Sequence, residues 1–258
     1  MSSAELNCTC KICGSAAPVF GQVDFNKHCD EGRSGKLPPA NMPVTYLRCT
    51  DCGFLFTRDF DNWSHADFGE KIYNAEYARV DPDFAERRPN GNAAFIAQKF
   101  GTYRQKIRIL DYGGGEGRMM DVLRAEGFRY VNTYDPFSSK HNVSDGQKYD
   151  LITAFEVFEH VPDPIATMQD ITKRLKPEAL MLFSTLLQPD DLAETGLDWW
   201  YVGPRNGHIS LHSKKSLAVL LKRFGLTLAS ANQGLHIGFA KRPSMARGLL
   251  KKPATARA

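Results

Sequence analysis

One stretch near the middle of the chain joins an acidic residue to a loop rich in glycine. Hydrophobic residues at 107–110 predict a buried parallel strand, and residues 118–126 predict the helix that follows it. Asp111 is expected at the carboxyl end of that strand, where α/β sheets bind their ligands. Glycines at alternate positions let the backbone turn tightly and approach a ligand closely. They are Gly113, Gly115 and Gly117.

The spacing of these glycines separates several kinds of ligand site. The dinucleotide-binding pattern Gly-x-Gly-x-x-Gly fails, because Arg118 stands at the sixth position counted from Gly113. The Gly-Lys-Ser/Thr sequence of a phosphate-binding loop is absent. The pattern that remains, Asp-x-Gly-x-Gly-x-Gly, resembles that of class I S-adenosylmethionine-dependent methyltransferases. The alternative is a glycine-rich turn that binds no ligand.

A second strand is predicted at residues 130–134, and an acidic residue follows it. The carboxylate of Asp135 at this place can accept hydrogen bonds from both ribose hydroxyls of a nucleoside. The alternative is a plain turn at Asp135 and Pro136. The resemblance implies that both residues bind the cofactor, together with Asp111 and the glycines.

Residues 149–164 combine a predicted strand with acidic residues and a histidine. The resemblance implies that they are the fourth strand of the family fold and the loop after it. Phe155 and Glu156 would then lie beside the methionine part of the cofactor, and Glu159 and His160 would lie where an acceptor sits. A titrating imidazole suits proton transfer near neutral pH. The alternative is that Glu159 and His160 form a local pair that fixes the loop.

Residues 199–212 form a polar, aromatic and glycine-containing stretch of the kind that carries specificity in loops. The stretch resembles the substrate loop of zinc-containing sugar methyltransferases, in which a histidine lies near the acceptor. His208 is therefore the candidate general base, because its unperturbed pKa suits removal of a proton near neutral pH. The alternative is that His208 and His212 orient the loop or cap the next helix.

All six cysteines lie before residue 53, and in a cytosolic chain such clustering favours metal binding over disulfides. Two Cys-x-x-Cys-Gly turns aim four thiolates at one point, which suits tetrahedral Zn²⁺ and leaves no open position. The site is therefore expected to be structural. Cys8 stands outside the pattern, and we interpret His28 and Cys29 as a surface histidine and a small buried cysteine. The alternative is that His28 and Cys29 form a second, partial metal site. The predicted ligands are Cys10, Cys13, Cys49 and Cys52.

Together these patterns predict an α/β fold. The resemblance implies a Rossmann-like, seven-stranded methyltransferase sheet with an antiparallel last strand, a weak third strand and a small N-terminal module similar to a zinc ribbon. Residues 73–77 have helical spacing, and residues 88–91 indicate a turn. Asp163 and Ser213 are predicted to cap the starts of two helices. The predicted parts are a zinc-binding module at residues 1–60, linking or lid helices at 61–104, the methyltransferase domain at 105–242 and a basic disordered tail at 243–258.

The chain has 258 residues and a net charge of +4, and six basic residues without an acidic one lie after position 240. The rest of the chain is nearly neutral, which argues against a large nucleic-acid surface. No apolar run approaches the ~18 residues of a membrane span, and the first residues lack the pattern of a signal peptide. We therefore expect a cytoplasmic protein, a monomer or homodimer, with a small-molecule acceptor and neither nucleic acid nor membrane as partner.

The expected reaction is methyl transfer from S-adenosylmethionine to an oxygen or carbon of a small acceptor. The N-terminal cysteine module resembles that of methyltransferases from polysaccharide and deoxysugar pathways, which implies a sugar or sugar nucleotide as acceptor. One alternative is an O-methyltransferase for a phenolic or quinone-like molecule. Another is a zinc-ribbon binding module whose methyltransferase fold is catalytically inactive.

Overall fold

The computed structural model describes residues 8–138, 143–144 and 146–249, which form two β-sheets and seven α-helices. The strands, in chain order, are Val19–Asp24 (β1), Pro43–Arg48 (β2), Leu55–Thr57 (β3), Arg108–Tyr112 (β4), Tyr130–Tyr134 (β5), Tyr149–Phe155 (β6), Leu175–Ser184 (β7), Ser210–Leu211 (β8), Thr227–Ser230 (β9) and Leu235–Phe239 (β10). The helices are Glu31–Ser34 (α1), His65–Lys71 (α2), Arg87–Phe100 (α3), Arg118–Ala125 (α4), Pro164–Arg174 (α5), Leu192–Thr195 (α6) and Lys214–Arg223 (α7).

The larger sheet has the strand order β5–β4–β6–β7–β10–β9. The first four of these strands run parallel, and β10 lies antiparallel to both of its neighbours. This confirms the predicted α/β class and the antiparallel last strand. The sheet has six strands among the described residues, whereas the sequence predicted seven. Between β5 and β6 the large apolar residues are only Phe137 and Val143, too few for a buried strand, and residues 139–142 and 145 lie outside the described residues.

Alternate residues of the central strands face opposite layers of helices, because side chains along a strand alternate between the two faces of its sheet. Ile109 packs in one core with Ile96 of α3, and Leu110 packs in another with Met168 of α5. Both faces are covered, which explains the continuous apolar runs of these strands. Burial of each such aliphatic side chain contributes about 1.5–3 kcal/mol to the stability of the fold. The rigid sheet fixes the carboxyl ends of β4, β5 and β6, from which the candidate site is built.

The smaller sheet has the order β1–β2–β3–β8, and all its pairs are antiparallel. Its fourth strand comes from the segment between β7 and α7, where Leu211 pairs with Leu55. Lys11 adds a hydrogen bond of 2.9 Å to the carbonyl of Pro162, after β6. The module that the sequence predicted at residues 1–60 is thus bonded directly to the segment that carries His208.

Two helix starts follow the predicted capping chemistry. The Asp163 carboxylate accepts hydrogen bonds from the N–H groups of Ile165 and Ala166, with Pro164 as the first residue of α5. Ser213 accepts one from the N–H of Ser216 at the start of α7. Both predicted caps are confirmed. Among the described residues, no helix is both long enough and apolar enough to cross a bilayer.

Three local predictions need correction. Residues 73–77 do not form a helix, and the nearest helical turn is the 3₁₀ segment Tyr77–Arg79. The predicted turn at residues 88–91 lies inside α3, where Pro89 is tolerated because N–H groups of a first helical turn have no intrahelical partner. In the predicted tail, Ala246 and Leu249 are buried in the core between the larger sheet and α3. Residues 250–258 lie outside the described residues.

Candidate active site

The glycine loop follows β4 in backbone conformations that favour glycine. Gly113, Gly115 and Gly117 have φ values of 75°, 53° and 85°, in the left-handed region that other residues mostly avoid. A Cβ atom on Gly113 would lie 2.5 Å from Val157 Cγ2, so the loop packs directly on the segment after β6. A Cβ atom on Gly115 would meet no atom within 4 Å. The backbone at Gly115 is therefore accessible to a ligand.

Asp111 lies within β4, one residue before its end, and supports the loop from below. Its carboxyl group is buried, and its Oδ1 accepts a hydrogen bond of 3.1 Å from the Thr153 hydroxyl. A Cβ atom on Gly114 would collide with Asp111 Oδ2, so only glycine fits above the carboxyl group. Burial raises the pKa of Asp111 to about 7, against the opposing effect of the Thr153 hydrogen bond.

Asp135 follows β5 and lies beside the glycine loop. Its Oδ2 accepts a hydrogen bond of 2.8 Å from the N–H of Gly115, and its Oδ1 accepts one of 2.8 Å from the N–H of Phe137. Each carboxylate oxygen keeps a further acceptor position. Pro136 stands in the turn that follows. An anchored carboxylate next to accessible backbone fits the ribose of a nucleoside, which is the fit that S-adenosylmethionine requires.

Phe155 and Glu156 lie at the carboxyl end of β6. This strand pairs with β4, which the glycine loop follows. Glu156 has a φ of 52°, one of two positive values among the described non-glycine residues. Its backbone N–H donates to the Ser184 hydroxyl at 2.9 Å, and that hydroxyl donates to Glu156 Oε1 at 2.7 Å. Such a conformation costs of order 1–3 kcal/mol, persists only where its surroundings fix it, and is concentrated at functional sites.

Glu159 is fully buried and connects two segments of the chain. Its backbone carbonyl accepts hydrogen bonds from the N–H groups of Ile209 and Ser210 at 2.9 and 3.0 Å. Its Oε1 accepts a hydrogen bond from the Tyr201 hydroxyl, while Oε2 has no partner within the described part of the chain. Burial raises the pKa of Glu159 well above its usual value, and the nearby Glu156 adds to the rise.

His208 and His160 meet Glu159 at one point. His208 Nδ1 lies 2.8 Å from the Tyr201 carbonyl oxygen and 3.3 Å from Cys29 Sγ. The ring of His160 lies 4.9 Å from that of His208, centroid to centroid, and its Nδ1 lies 3.2 Å from the Tyr73 hydroxyl. Burial lowers the pKa of both imidazoles, so both are neutral near pH 7. The structure thus brings together all three residues that the sequence singled out as catalytic.

The sequence did not single out Tyr201, Tyr73 or Cys29 as members of this cluster. Tyr201 lies in the aromatic stretch at residues 199–212, but no sequence pattern indicates that it links Glu159 to His208. Cys29 is held by its N–H, which donates to Asn206 Oδ1 at 2.8 Å. His28 is buried, with Nε2 at 2.9 Å from the Gly35 carbonyl oxygen, so its interpretation as a surface residue is wrong.

The predicted ligand cysteines form a second cluster. Cys10 and Cys52 have their sulfurs 3.6 Å apart, Cys13 and Cys49 have theirs 3.4 Å apart, and all four lie within 4.8 Å of one another. Tetrahedral Zn²⁺ bonded to four sulfurs requires separations of ~3.8 Å. The cluster therefore fits such an ion. His212, which the sequence offered as a loop-orienting residue, packs against Phe54 beside β3 and does not join the cluster of Glu159, His160 and His208.

Comparison with known proteins adds an independent observation. A family model described as "Methyltransferase domain" matches residues 84–231. The ubiquinone biosynthesis O-methyltransferase of Actinobacillus pleuropneumoniae serotype 5b is 37% identical over 54 residues, which are 21% of this chain and 23% of that protein. The protein of that name from Yersinia enterocolitica is 26% identical over 115 residues, 36% of this chain and 47% of its own. The chain spans less than half the length of these curated relatives.

Among solved structures, the chain is similar to 1,6-didemethyltoxoflavin-N1-methyltransferase of Burkholderia thailandensis, with bound 1,6-didemethyltoxoflavin and S-adenosylhomocysteine. Sequence identity is 13%, coverage is 81% of this chain and 98% of that chain, and the TM-score is 0.49. An O-methyltransferase family protein from the same organism is 12% identical, with 70% and 64% coverage and a TM-score of 0.49.

The family match covers more than half of the chain. It includes the glycine loop, Asp135, the segment after β6 and His208. These are the residues whose geometry fits a nucleoside at one end of the site and proton transfer at the other. The chain belongs to the methyltransferase domain family.

Proposed function

We propose that this enzyme transfers the methyl group to a hydroxyl oxygen of a small acceptor, with His208 as general base. The observation that carries the proposal is the contact between His208 Nδ1 and the Tyr201 carbonyl. A carbonyl oxygen accepts only, so the proton of the neutral ring belongs on Nδ1 and the lone pair lies on Nε2. A general base needs that lone pair where the acceptor loses its proton.

The cofactor is proposed to bind across the carboxyl ends of β4, β5 and β6. The carboxylate of Asp135 accepts hydrogen bonds from the ribose hydroxyls, and the backbone of the glycine loop lies against the nucleoside. Asp111 supports that loop, and the segment at the end of β6 lies beside the methionine part. The proposed cofactor-binding residues are Asp111, Gly113, Gly115, Gly117, Asp135, Pro136, Phe155 and Glu156.

S-Adenosylmethionine supplies a methyl group that its sulfonium has already activated. The residues of the chain then have to align the acceptor oxygen with that methyl carbon, exclude water and remove the hydroxyl proton. His208 would take up the hydroxyl proton at Nε2 as the acceptor oxygen receives the methyl group, and S-adenosylhomocysteine would be the other product. Glu159 acts beside His208 by holding the Tyr201 hydroxyl, and His160 with Tyr73 lines the space next to the base.

The class of acceptor follows from two different observations. The N-terminal module with its four close cysteines supports a sugar or sugar nucleotide, because the sequence resembles sugar-pathway methyltransferases in this respect. The names of the curated relatives support a phenolic or quinone-like acceptor, although that similarity is strongest over 54 residues. Tyr73 and Tyr201 offer aromatic faces in the cluster, and such faces can pack on either kind of ring. The sugar-linked acceptor is our first candidate.

The four-cysteine cluster is proposed to hold a structural Zn²⁺. The N–H of Ile12 lies 3.4 Å from Cys10 Sγ, and the N–H of Cys52 lies 3.3 Å from Cys49 Sγ, so the backbone stabilises negative charge on two of the sulfurs. Four protein ligands leave no open coordination position, and a site of that type stabilises the fold. The ion would fix the N-terminal turns against β3 and, through β8, the segment that leads to His208.

Substitution of the base tests the reaction. We expect His208→Ala to lower kcat by about 10²–10⁴-fold, with the Kd for S-adenosylmethionine unchanged in calorimetry. His65→Ala serves as matched control, because it removes an exposed imidazole outside the cluster and should leave kcat unchanged. Turnover is measured with nucleotide sugars and with catechols as acceptors, which decides between the two acceptor classes.

Two outcomes would contradict separate parts of the proposal. Full turnover by the His208→Ala enzyme would show that the base lies elsewhere. Normal binding of S-adenosylmethionine by an Asp135→Ala enzyme would show that the assigned ribose contact is wrong. The circular dichroism spectrum of each variant shows whether its fold is intact, so that loss of structure is not mistaken for loss of catalysis.

A further inference from the structure

The catalytic cluster contains the donor atoms of a metal site that is chemically unlike the four cysteines. One ring nitrogen of His160, one of His208 and one carboxylate oxygen of Glu159 all lie within 4.8 Å of one another. Two imidazoles and one carboxylate are a donor set that binds divalent transition ions and leaves coordination positions open. The four-cysteine cluster offers sulfur only, so the two sites would select ions differently.

Each of the three side chains also contacts a neighbouring polar group that fixes its orientation. His208 Nδ1 is engaged by the Tyr201 carbonyl at 2.8 Å, and His160 Nδ1 lies 3.2 Å from the Tyr73 hydroxyl. Glu159 Oε1 accepts a hydrogen bond from the Tyr201 hydroxyl. Ligands of bound metals in proteins are generally fixed in this way, with one atom bonded to the protein and the other directed at the ion.

A second observation points to a ligand at this place. Glu159 Oε2 is buried and makes no hydrogen bond of normal length among the described residues, and the nearby, equally buried Thr185 hydroxyl makes none either. Buried polar oxygens nearly always have a partner, and the exceptions usually mark an ion, a water or a functional role. A cation between Glu159 and the two imidazoles would satisfy this oxygen.

We propose that Glu159, His160 and His208 form a second metal site, which takes a divalent transition ion such as Zn²⁺ or Co²⁺ in competition with catalysis. The bound ion occupies the Nε2 lone pair of His208, the pair that would otherwise accept the acceptor proton. Enzyme with an ion at this site therefore does not turn over. This inhibitory consequence rests on the proposed function, whereas the binding of the ion does not.

The binding test uses full-length protein whose cysteine cluster has first been filled with Zn²⁺, so that added Co²⁺ reports on the remaining site. We expect a second equivalent of metal to bind, with visible d–d absorption of cobalt and without the near-ultraviolet sulfur-to-cobalt band that thiolates produce. In Glu159→Gln and His160→Ala proteins we expect the affinity for Co²⁺ to fall at least about 10-fold. The matched control His65→Ala should bind as the wild type does.

The result that would overturn the site is absence of a second equivalent in the wild type, or equal Co²⁺ affinity in the wild type and both cluster variants. Thermal unfolding of each variant confirms that it is folded before its affinity is compared. A further variant, His160→Gln, retains polarity and volume without a strong metal ligand, and it should also lose the cobalt spectrum.

The inhibitory consequence is tested separately by following turnover during the same titration. We expect turnover to fall in proportion to occupancy of the second site, and to return when a chelator removes that ion without unloading the cysteine cluster. Unchanged turnover at full occupancy would overturn the competition. Binding is read from the cobalt spectrum in the absence of acceptor, so failure of the proposed methyl transfer and failure of the metal site give different results.

Discussion

The two ends of the candidate site are built in different ways. The end at which we propose that the cofactor binds, called the cofactor end, consists of the glycine loop and Asp135, which lie within 25 positions of one another in the chain, and its contacts involve backbone atoms. The acceptor end consists of side chains from distant segments: Cys29, Tyr73, Glu159, His160, Tyr201 and His208. Its contacts bridge up to 179 positions, as between Cys29 and His208.

This difference predicts different responses to substitution. Backbone-defined sites are sensitive to an added side chain, because glycine adopts left-handed conformations at a much lower cost than other residues. Side-chain clusters depend on hydrogen-bond partners, and their members act together. Changes at the cofactor end should therefore weaken binding of S-adenosylmethionine, and changes at the acceptor end should lower kcat while that binding stays the same.

At the cofactor end, the largest effect is expected from Gly113→Ala. The φ of 75° is unfavourable for alanine, and the added Cβ atom would lie 2.5 Å from Val157 Cγ2. We expect the Kd for S-adenosylmethionine to rise by about 100-fold, or ~3 kcal/mol, as the loop moves away from the segment after β6. Calorimetry measures this change.

The matched control for that change is Gly225→Ala. Gly225 has a φ of 71°, but a Cβ atom there would meet nothing within 4 Å. The Gly225→Ala variant measures how much a left-handed backbone at alanine destabilises the protein when the added Cβ atom collides with nothing. Gly225 is distant in sequence from the glycine loop. Wild-type affinity in the Gly113→Ala enzyme would mean that backbone geometry does not define the cofactor end, and the comparison of the two ends would fail.

The backbone geometry at the cofactor end could be predicted because its signal is local. The acid and the alternate glycines of residues 107–117 specify a strand, a tight turn and a ligand-accessible backbone within one segment. Asp135 follows the next strand, and parallel strands bring their carboxyl ends to one edge of the sheet. The caps at Asp163 and Ser213 were predicted for the same reason, since capping depends on neighbouring residues only.

The remaining predictions depended on tertiary contacts that no local pattern specifies. Residues 73–77 have helical spacing, yet Tyr73 is used to contact His160 and no helix forms there. Pro89 signals a turn locally, but it is accommodated in the first turn of α3. Tyr201 acquires its role from Glu159, 42 positions away. His208 was identified by resemblance, and only the structure gives the orientation of its ring.

The buried Asp111 gives a pH-dependent prediction for the cofactor end. Its pKa is about 7 in the folded chain because of burial, against ~3.9 for an unfolded chain. Between these values the unfolded chain is ionised and the folded chain holds the proton, so stability falls as pH rises from ~4 to ~7 and is level above.

Asp111→Asn removes this loss and keeps an acceptor for the Thr153 hydroxyl. We measure the free energy of unfolding in urea without cofactor. The difference between the variant and the wild type should be about 2 kcal/mol more favourable to the variant at pH 8 than at pH 5. The same gain at both pH values would show that Asp111 is ionised throughout. Asp121→Asn, an exposed aspartate on the neighbouring α4, is the control and should show no such trend.

A smaller effect is expected from Tyr201→Phe at the acceptor end. The change removes the hydroxyl that donates to Glu159 Oε1, so the buried carboxyl group loses its hydrogen bond from Tyr201. The Tyr201 carbonyl still fixes His208, so we expect kcat to fall only about 10-fold, or ~1.4 kcal/mol. The Kd for S-adenosylmethionine should be unchanged, and a large rise in that Kd would contradict the separation of the two ends.

The smallest effect, and the sharpest test of the comparison, is the coupling energy between pairs of changes. Tyr201→Phe and Glu159→Gln alter one hydrogen bond from its two sides, so their effects on kcat/KM should be non-additive by about 0.5–1.5 kcal/mol. Tyr201→Phe and Asp135→Asn share no partner, since Asp135 bonds to Gly115 and Phe137. Their effects should add within ~0.5 kcal/mol. The coupling energy between the two ends could instead be as large as the coupling energy within one end. That result would mean that the site responds as a single cluster, with changes transmitted between the ends by Tyr73 and Phe137, whose rings lie 5.2 Å apart.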